Sequence, residues 1–444
     1  MIVLDGCAVA TPTITGTRGW IAIDGDRIAA IGWDDPPAGE RIDASGCLAT
    51  AGLINCHHHL YQWATRGLAQ QATLFEWLVE LYPTWARIDA EIERAAARAG
   101  LAALLLSGCT TASDDHYVFP RGAGDLLAVE IEAARELGIR FHPCRGSMDL
   151  GVSSGGLPPD SVVEDRDEIL AACAAAIDRH HDPSPSSMLQ IALAPCSPFS
   201  VTRELMRESA ELARARGVRL HTHMAETVEE EAYCLELFGM RPVEYLDELG
   251  WLGPDVWLAH CVHLSDDEIV RFAETGTGVA HCPSSNARLG AGIAPVRQLV
   301  HSGGSVGLGV DGAASNEAGE LAGELRQALL LARLAGGPDA MSPHEALTLG
   351  TVHGARCLGR SRDLGALEPG YLADIVLWRL DDLDHAGIED PVASLVLGPR
   401  PLADRVFVGG REVVRDGELL TGDVEEIAAD LKVACRRLAA EVRA

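Results

Sequence analysis

Gly52-Leu53-Ile54-Asn55-Cys56-His57-His58-His59 is an apolar run that stops on three imidazoles, and the same grammar returns along the chain. Eight such runs are strand candidates, at 48–55, 108–114, 140–147, 189–197, 219–226, 256–263, 278–284 and 305–311. Ala- and Leu-rich amphipathic stretches, such as 90–106, 203–216 and 320–334, separate them. Strand–helix alternation repeated eight times predicts a parallel α/β architecture, either a closed (β/α)8 TIM barrel or a doubly wound open sheet. The run endings decide between the two. They carry His57/His59, Asp114/His116, Arg145, Cys196, His223/Glu226, His260, His281 and Asp311. A barrel brings all eight strand C-termini to one mouth, whereas an open sheet strings them along an edge. The barrel is therefore expected.

Outside this middle the texture changes. Residues 21–23 and 28–31 flank Asp24-Gly25-Asp26-Arg27, a hairpin signal. Short strand-like runs return at 373–378, 405–408 and 412–414. The expected organisation is a small β-sandwich domain built from residues 1–50 and 362–420, a barrel over 51–361, and a C-terminal helix over 421–444.

Composition excludes several classes. The 444 residues are 47% hydrophobic and carry a formal net charge of −29. Such a surface repels nucleic-acid backbones and anionic membranes, so neither is an expected partner. The twelve cysteines stand singly with no Cys-x-x-Cys, which argues against a cysteine zinc site and for free buried thiols. With no basic, apolar leader at the N-terminus and no apolar stretch of membrane-spanning length, a cytoplasmic protein is expected.

The histidines point to a metal. On an extended backbone residues i and i+2 face one side, so His57 and His59 can share an ion while His58 points away. His223 adds a third imidazole and Asp311 a carboxylate, each from another strand end. Three neutral imidazoles and one carboxylate suit a single divalent ion, zinc first and ferrous iron second, with room for water.

Taken in order, these pieces resemble the amidohydrolase superfamily, in its nucleobase and triazine deaminase branch. The matching segments are Ala51-Gly52-Leu53-Ile54-Asn55 before His57-x-His59, then His223-x-x-Glu226, Leu258-Ala259-His260-Cys261, His281-Cys282-Pro283-Ser284-Ser285-Asn286 and Gly309-Val310-Asp311-Gly312. Gly365-Ala366-Leu367-Glu368-Pro369-Gly370 with Ala373-Asp374 resembles the return into the β-domain. Ala51 stands where the family usually has proline. Ala194-Pro195-Cys196-Ser197 lacks the lysine of the binuclear subgroup, so the resemblance implies a mononuclear site.

The resemblance implies hydrolytic deamination of an amino-substituted, purine-like heterocycle, with triazine hydrolysis as the alternative and a dead scaffold as a third reading. It implies His57, His59, His223 and Asp311 as metal ligands. Asp311 would also accept a proton from the water, His260 would hydrogen-bond the developing charge, and Glu226 would protonate a ring nitrogen. Both carboxylates are present, which favours deamination over the triazine branch. Gln62, Trp77, Arg145 and Cys196 are expected to bind the small-molecule substrate, under a lid at 148–165. His116 and His263 are expected to be structural, His221 to lie outside the metal shell, and His281 to orient the site or pack beneath it. A homo-oligomer is the family's usual state.

Overall fold

The computed structural model describes residues 1–11, 15–399 and 403–443; residues 12–14 and 400–402 of the expected β-domain and the last residue of the tail fall outside this description. Eight strands close into a parallel barrel. In chain order they are Leu53–Asn55, Cys109–His116, Arg140–Ser147, Ala192–Pro195, Arg219–Met224, Val256–His260, Gly278–His281 and Ser305–Leu308. The ring is sealed where Leu308 pairs with Asn55.

Alternation along each strand explains the closure. Ala192, Ala194 and Ala280 join Ile54, Cys56, Cys144 and Trp257 in one buried cluster. Their neighbours Leu193 and Val279 belong to the larger core that includes the surrounding helices. Mostly small side chains thus occupy one face and larger ones the other, as a narrow barrel with an outer helical layer requires. The helices at Ala90–Leu106 and Arg203–Arg216 fall where the periodicity places them. Asp89 and Thr202 cap their first turns.

The run at 48–55 is not one strand. Cys47–Ala51 joins an outer sheet and Leu53–Asn55 joins the barrel. Gly52 makes the break: its N–H donates to Asp374 O at 2.9 Å, and a Cβ there would collide with the side chain of Thr110. The runs expected at 189–197, 256–263, 278–284 and 305–311 also end earlier, because the polar residues at their tips leave the ladder to form the mouth.

The outer sheet has nine strands drawn from both ends of the chain. Ile375–Arg379 pairs antiparallel with Cys47–Ala51, joining the C-terminal strands to Ile2–Ala10 and Thr15–Asp24. Leu4, Val9, Ile21, Ala49, Ile375, Leu377 and Phe407 form its separate core. Arg140 binds it to the barrel through a buried ion pair with Asp374 at 2.9 Å. The helix Val424–Arg443 lies against Ala90–Leu106, where Arg98 meets Asp430 at 3.1 Å. The twelve cysteines are all free, eleven of them buried. Among the described residues no helix is long and apolar enough to cross a membrane.

Candidate active site

The strand tips bring three imidazoles and one carboxylate to a single point. His57 and His59 follow the first strand, His223 sits near the end of the fifth, and Asp311 follows the eighth. Asp311 and Gly312 pair in parallel with His58 and His59, and Asp311 N–H donates to His57 O at 3.1 Å. Asp311 Oδ1 lies 3.3 Å from Nε2 of both His57 and His59. His58 lies outside this group, its Nδ1 accepting from the His59 N–H at 2.8 Å.

Hydrogen bonding fixes which ring nitrogen faces inward. His59 Nδ1 is 2.7 Å from Asp115 O, and His223 Nδ1 is 2.8 Å from Cys196 O. A carbonyl only accepts, so both Nδ1 atoms carry the hydrogen and both Nε2 atoms are bare. Yet these two Nε2 atoms face each other at 3.0 Å, and the buried Nε2 of His57 has no hydrogen-bond partner. Lone pairs converge in this way around a cation. Burial holds His57 and His223 well below the usual imidazole range and His59 at about 4, so all three are neutral donors. Burial opposes ionisation of Asp311, but its close contact with His57 and the nearby His260 and His59 hold it well below the usual carboxylate range. The residues fit a divalent ion.

Two further groups complete the chemistry. Glu226 is buried, and its carboxyl is raised from 4.5 to about 7 by burial. His260 Nε2 lies 3.7 Å from Glu226 Oε2 and 4.0 Å from Asp311 Oδ2. Its Nδ1–H donates to Asn286 Oδ1 at 2.9 Å. Burial works against the imidazolium, but Glu226 and Asp311 outweigh it and raise the His260 pKa.

The mouth stores strain. Ala225, His260, Cys261 and Asp311 adopt left-handed φ of 49°, 70°, 49° and 60°. Such conformations cost about 1–3 kcal/mol each and persist only where the surroundings hold them. Glu230 is one such hold, its carboxylate accepting from Ala225 N–H at 2.8 Å and Glu226 N–H at 2.9 Å. Ser285 is another, donating to Asp311 Oδ2 at 2.6 Å, with Ser315 donating at 3.2 Å.

Above these groups a cavity is lined by Gln62, Trp77, Tyr82, Tyr117, Cys196 and Phe199 together with Glu226, His260 and Asp311. Three of the four expected substrate contacts, Gln62, Trp77 and Cys196, therefore face it. The fourth does not. Arg145 pairs with Glu164 at 2.7 Å, sits over the Phe119 ring at 3.6 Å and lines a separate cleft. It clasps the segment 148–165, which Leu150 and Leu157 also tie to Ser200 and Phe199 by backbone hydrogen bonds. The expectation of a ring contact at Arg145 gives way to this clasp.

The remaining histidines sort as follows. His116 is 2.8 Å from Glu130 Oε1 and donates from Nε2 to Val118 O at 2.8 Å. With Glu93 it forms a second buried titratable group away from the cavity lining. Burial raises the Glu130 carboxyl to about 8. His263 bonds Ala291 O. His281 is buried, held at about 3 by that burial, with Nδ1 unpartnered. Glu230, Ser285, Ser315 and Asn286 were not singled out as site residues from the sequence. Glu230 had a visible signal, as the fourth residue of Thr227-x-x-Glu230, a capping pattern.

A closed barrel with a histidine–aspartate cluster and a buried glutamate at its mouth defines a hydrolase equipped for a metal ion. The chain belongs to the amidohydrolase family, whose model matches residues 48–413. It is 47% identical to the 8-oxoguanine deaminase of Pseudomonas aeruginosa, over 95% of each chain. It is 39% identical to an isoxanthopterin deaminase from an unknown prokaryotic organism, over 95% of this chain and 92% of that one. Among solved structures it matches the atrazine chlorohydrolase of Arthrobacter aurescens complexed with zinc, with a TM-score of 0.93 and 38% identity over 98% of this chain and all of the other. The enzyme is a hydrolase of C–N bonds in cyclic amidines.

Proposed function

We propose that this enzyme deaminates an amino-oxopurine by hydrolysis, converting 8-oxoguanine and water to urate and ammonia. The observation that carries the reading is Glu226: a buried acid raised to about 7, in one cavity with the converging imidazoles. The ligands proposed are His57, His59 and His223 through Nε2 and Asp311 through Oδ1, for one zinc ion. An ion held there supplies hydroxide at neutral pH by lowering the pKa of water from 15.7 toward about 7.

The protein's own part is proton handling and placement. The purine lies flat in the cavity, between aromatic walls that include Trp77 and Phe199, with the Gln62 amide offering a hydrogen bond to its edge. Asp311 accepts the proton released by the attacking water. Glu226 donates to the ring nitrogen beside the amino-bearing carbon C2 as C2–O forms. The tetrahedral C2 then collapses, the proton held by Asp311 passing to the amine as C2–N breaks and the C2 hydroxyl proton returning to Glu226 to leave C2=O. His260, fixed by Asn286, offers Nε2–H between the two carboxylates and steadies the charge that develops at C2. Among the described residues no arginine or lysine lines the cavity, which supports a neutral ring over a phosphorylated nucleoside.

Ammonia release from a panel of amino-oxopurines, guanine, isocytosine, pterins and triazines tests the reading. Turnover of 8-oxoguanine above the others is expected; activity confined to triazines would overturn it. The same proposal treats residues 51–361 as the chemical unit, with the β-domain and tail as its buttress. Free thiols support a cytoplasmic setting, and the family resemblance supports a homo-oligomer.

A further inference from the structure

Two of the three converging imidazoles are oriented by backbone carbonyls, Asp115 O and Cys196 O. No side-chain substitution removes a carbonyl. His57 differs. Its Nδ1 lies 2.8 Å from Nε2 of another histidine, His221, which is itself fully buried.

The tautomers along this chain can be read from its far end. His221 Nδ1 lies 2.8 Å from Trp257 O. That carbonyl can only accept, so the hydrogen is on His221 Nδ1 and its Nε2 is bare. The bare Nε2 accepts from His57 Nδ1–H. His57 Nε2 is then left bare as well, and it points into the site, 3.3 Å from Asp311 Oδ1. Trp257 locks the arrangement twice. Its indole stacks on the His221 ring at 4.5 Å and 17°. Its Nε1–H donates to Cys56 O at 2.9 Å, on the residue preceding His57.

We propose that His221 is a positioning residue that holds His57 in its metal-binding tautomer and so sets the affinity of the site for its ion. This rests on the metal reading above. Without an acceptor at His221, the His57 Nδ1–H is buried and unpaired. Its proton then moves to Nε2, where Asp311 Oδ1 stands ready to accept it. That hydrogen bond occupies both the lone pair and the carboxylate oxygen that the ion requires.

The test compares zinc affinity by chelator competition in the wild type, His221→Gln and His221→Leu. Glutamine can place its carbonyl oxygen where Nε2 stood, whereas leucine fills the space without an acceptor. The leucine variant is expected to bind zinc about 10–100-fold more weakly, the range for losing a partner that orients a metal ligand. Glutamine should recover most of the loss, while the thermal transitions of the two metal-free variants stay alike. If the leucine variant does not fold, His221→Met replaces it, filling the space with only a weak thioether acceptor. Equal losses in the glutamine and apolar variants would make the role one of packing and overturn the proposal, as would wild-type affinity in the apolar variant. Failure of the wild type itself to take up zinc would remove the metal reading, a result recognisable because no variant is involved.

Discussion

Replacing Glu226 with glutamine preserves the size of the side chain and removes its transferable proton. Burial moves this carboxyl from 4.5 to about 7, a preference for the neutral form of about 3 kcal/mol. About half of the enzyme therefore carries the proton at neutral pH, and the protonated fraction falls about tenfold for each pH unit well above 7. Because the protonated carboxyl is the acid, kcat/KM for 8-oxoguanine should decline along that alkaline limb. Glu226→Gln should lose about 10²–10⁴-fold in turnover, keep its metal and lack the limb. The same shift has a consequence for folding. The folded pKa lies above the unfolded one, so the contribution of Glu226 to stability is full below about 4.5 and lost as pH rises to about 7. The variant should therefore unfold no earlier than the wild type at pH 8. Ammonia release across pH, metal analysis and thermal unfolding measure these quantities. A wild-type profile flat from about pH 6 to 9, or a glutamine variant within tenfold of wild type, would refute the acid role.

Three other perturbations reach different parts of the site. Ser285→Ala removes the 2.6 Å hydrogen bond to Asp311 Oδ2 and should weaken metal binding or turnover about 10-fold, measured by chelator competition and steady-state kinetics. Arg145→Met opens the clasp on Glu164. It should cost about 1–3 kcal/mol and speed hydrogen exchange across 148–165 while KM holds; a large KM rise with unchanged exchange would return Arg145 to the ring. Stripping the ion with a chelator should abolish activity and lower the thermal transition. Zinc at 100 times its Kd should restore about 2.7 kcal/mol.

The barrel was legible because its evidence is local: an apolar run ending on a polar residue reads the same whether or not its neighbours are known. His57, His59, His223 and Asp311 could be gathered on that basis alone. Arg145 could not be assigned, because a run locates a residue at the rim without saying which cleft it faces. Gln62, Trp77 and Cys196 had the same ambiguity and fell on the cavity side. The division of 48–55 at Gly52 depends on Thr110 and Asp374, which lie far off in sequence. His221, Ser285 and Asn286 escaped for a related reason. Each acts through one hydrogen bond to a residue from a different strand, and such pairings exist only once the ring has closed.

The outer sheet joins the two ends of the chain, with Trp378 donating to Thr50 from 328 residues away. During synthesis Cys47–Ala51 therefore emerges long before Ile375–Arg379, its antiparallel partner, exists. For that interval a buried, apolar strand waits with one edge unpaired, the condition under which nascent chains associate with the wrong neighbour. Truncations between residues 362 and 374 would make that exposure permanent. Such fragments should aggregate even though every residue of the catalytic cluster is present in them.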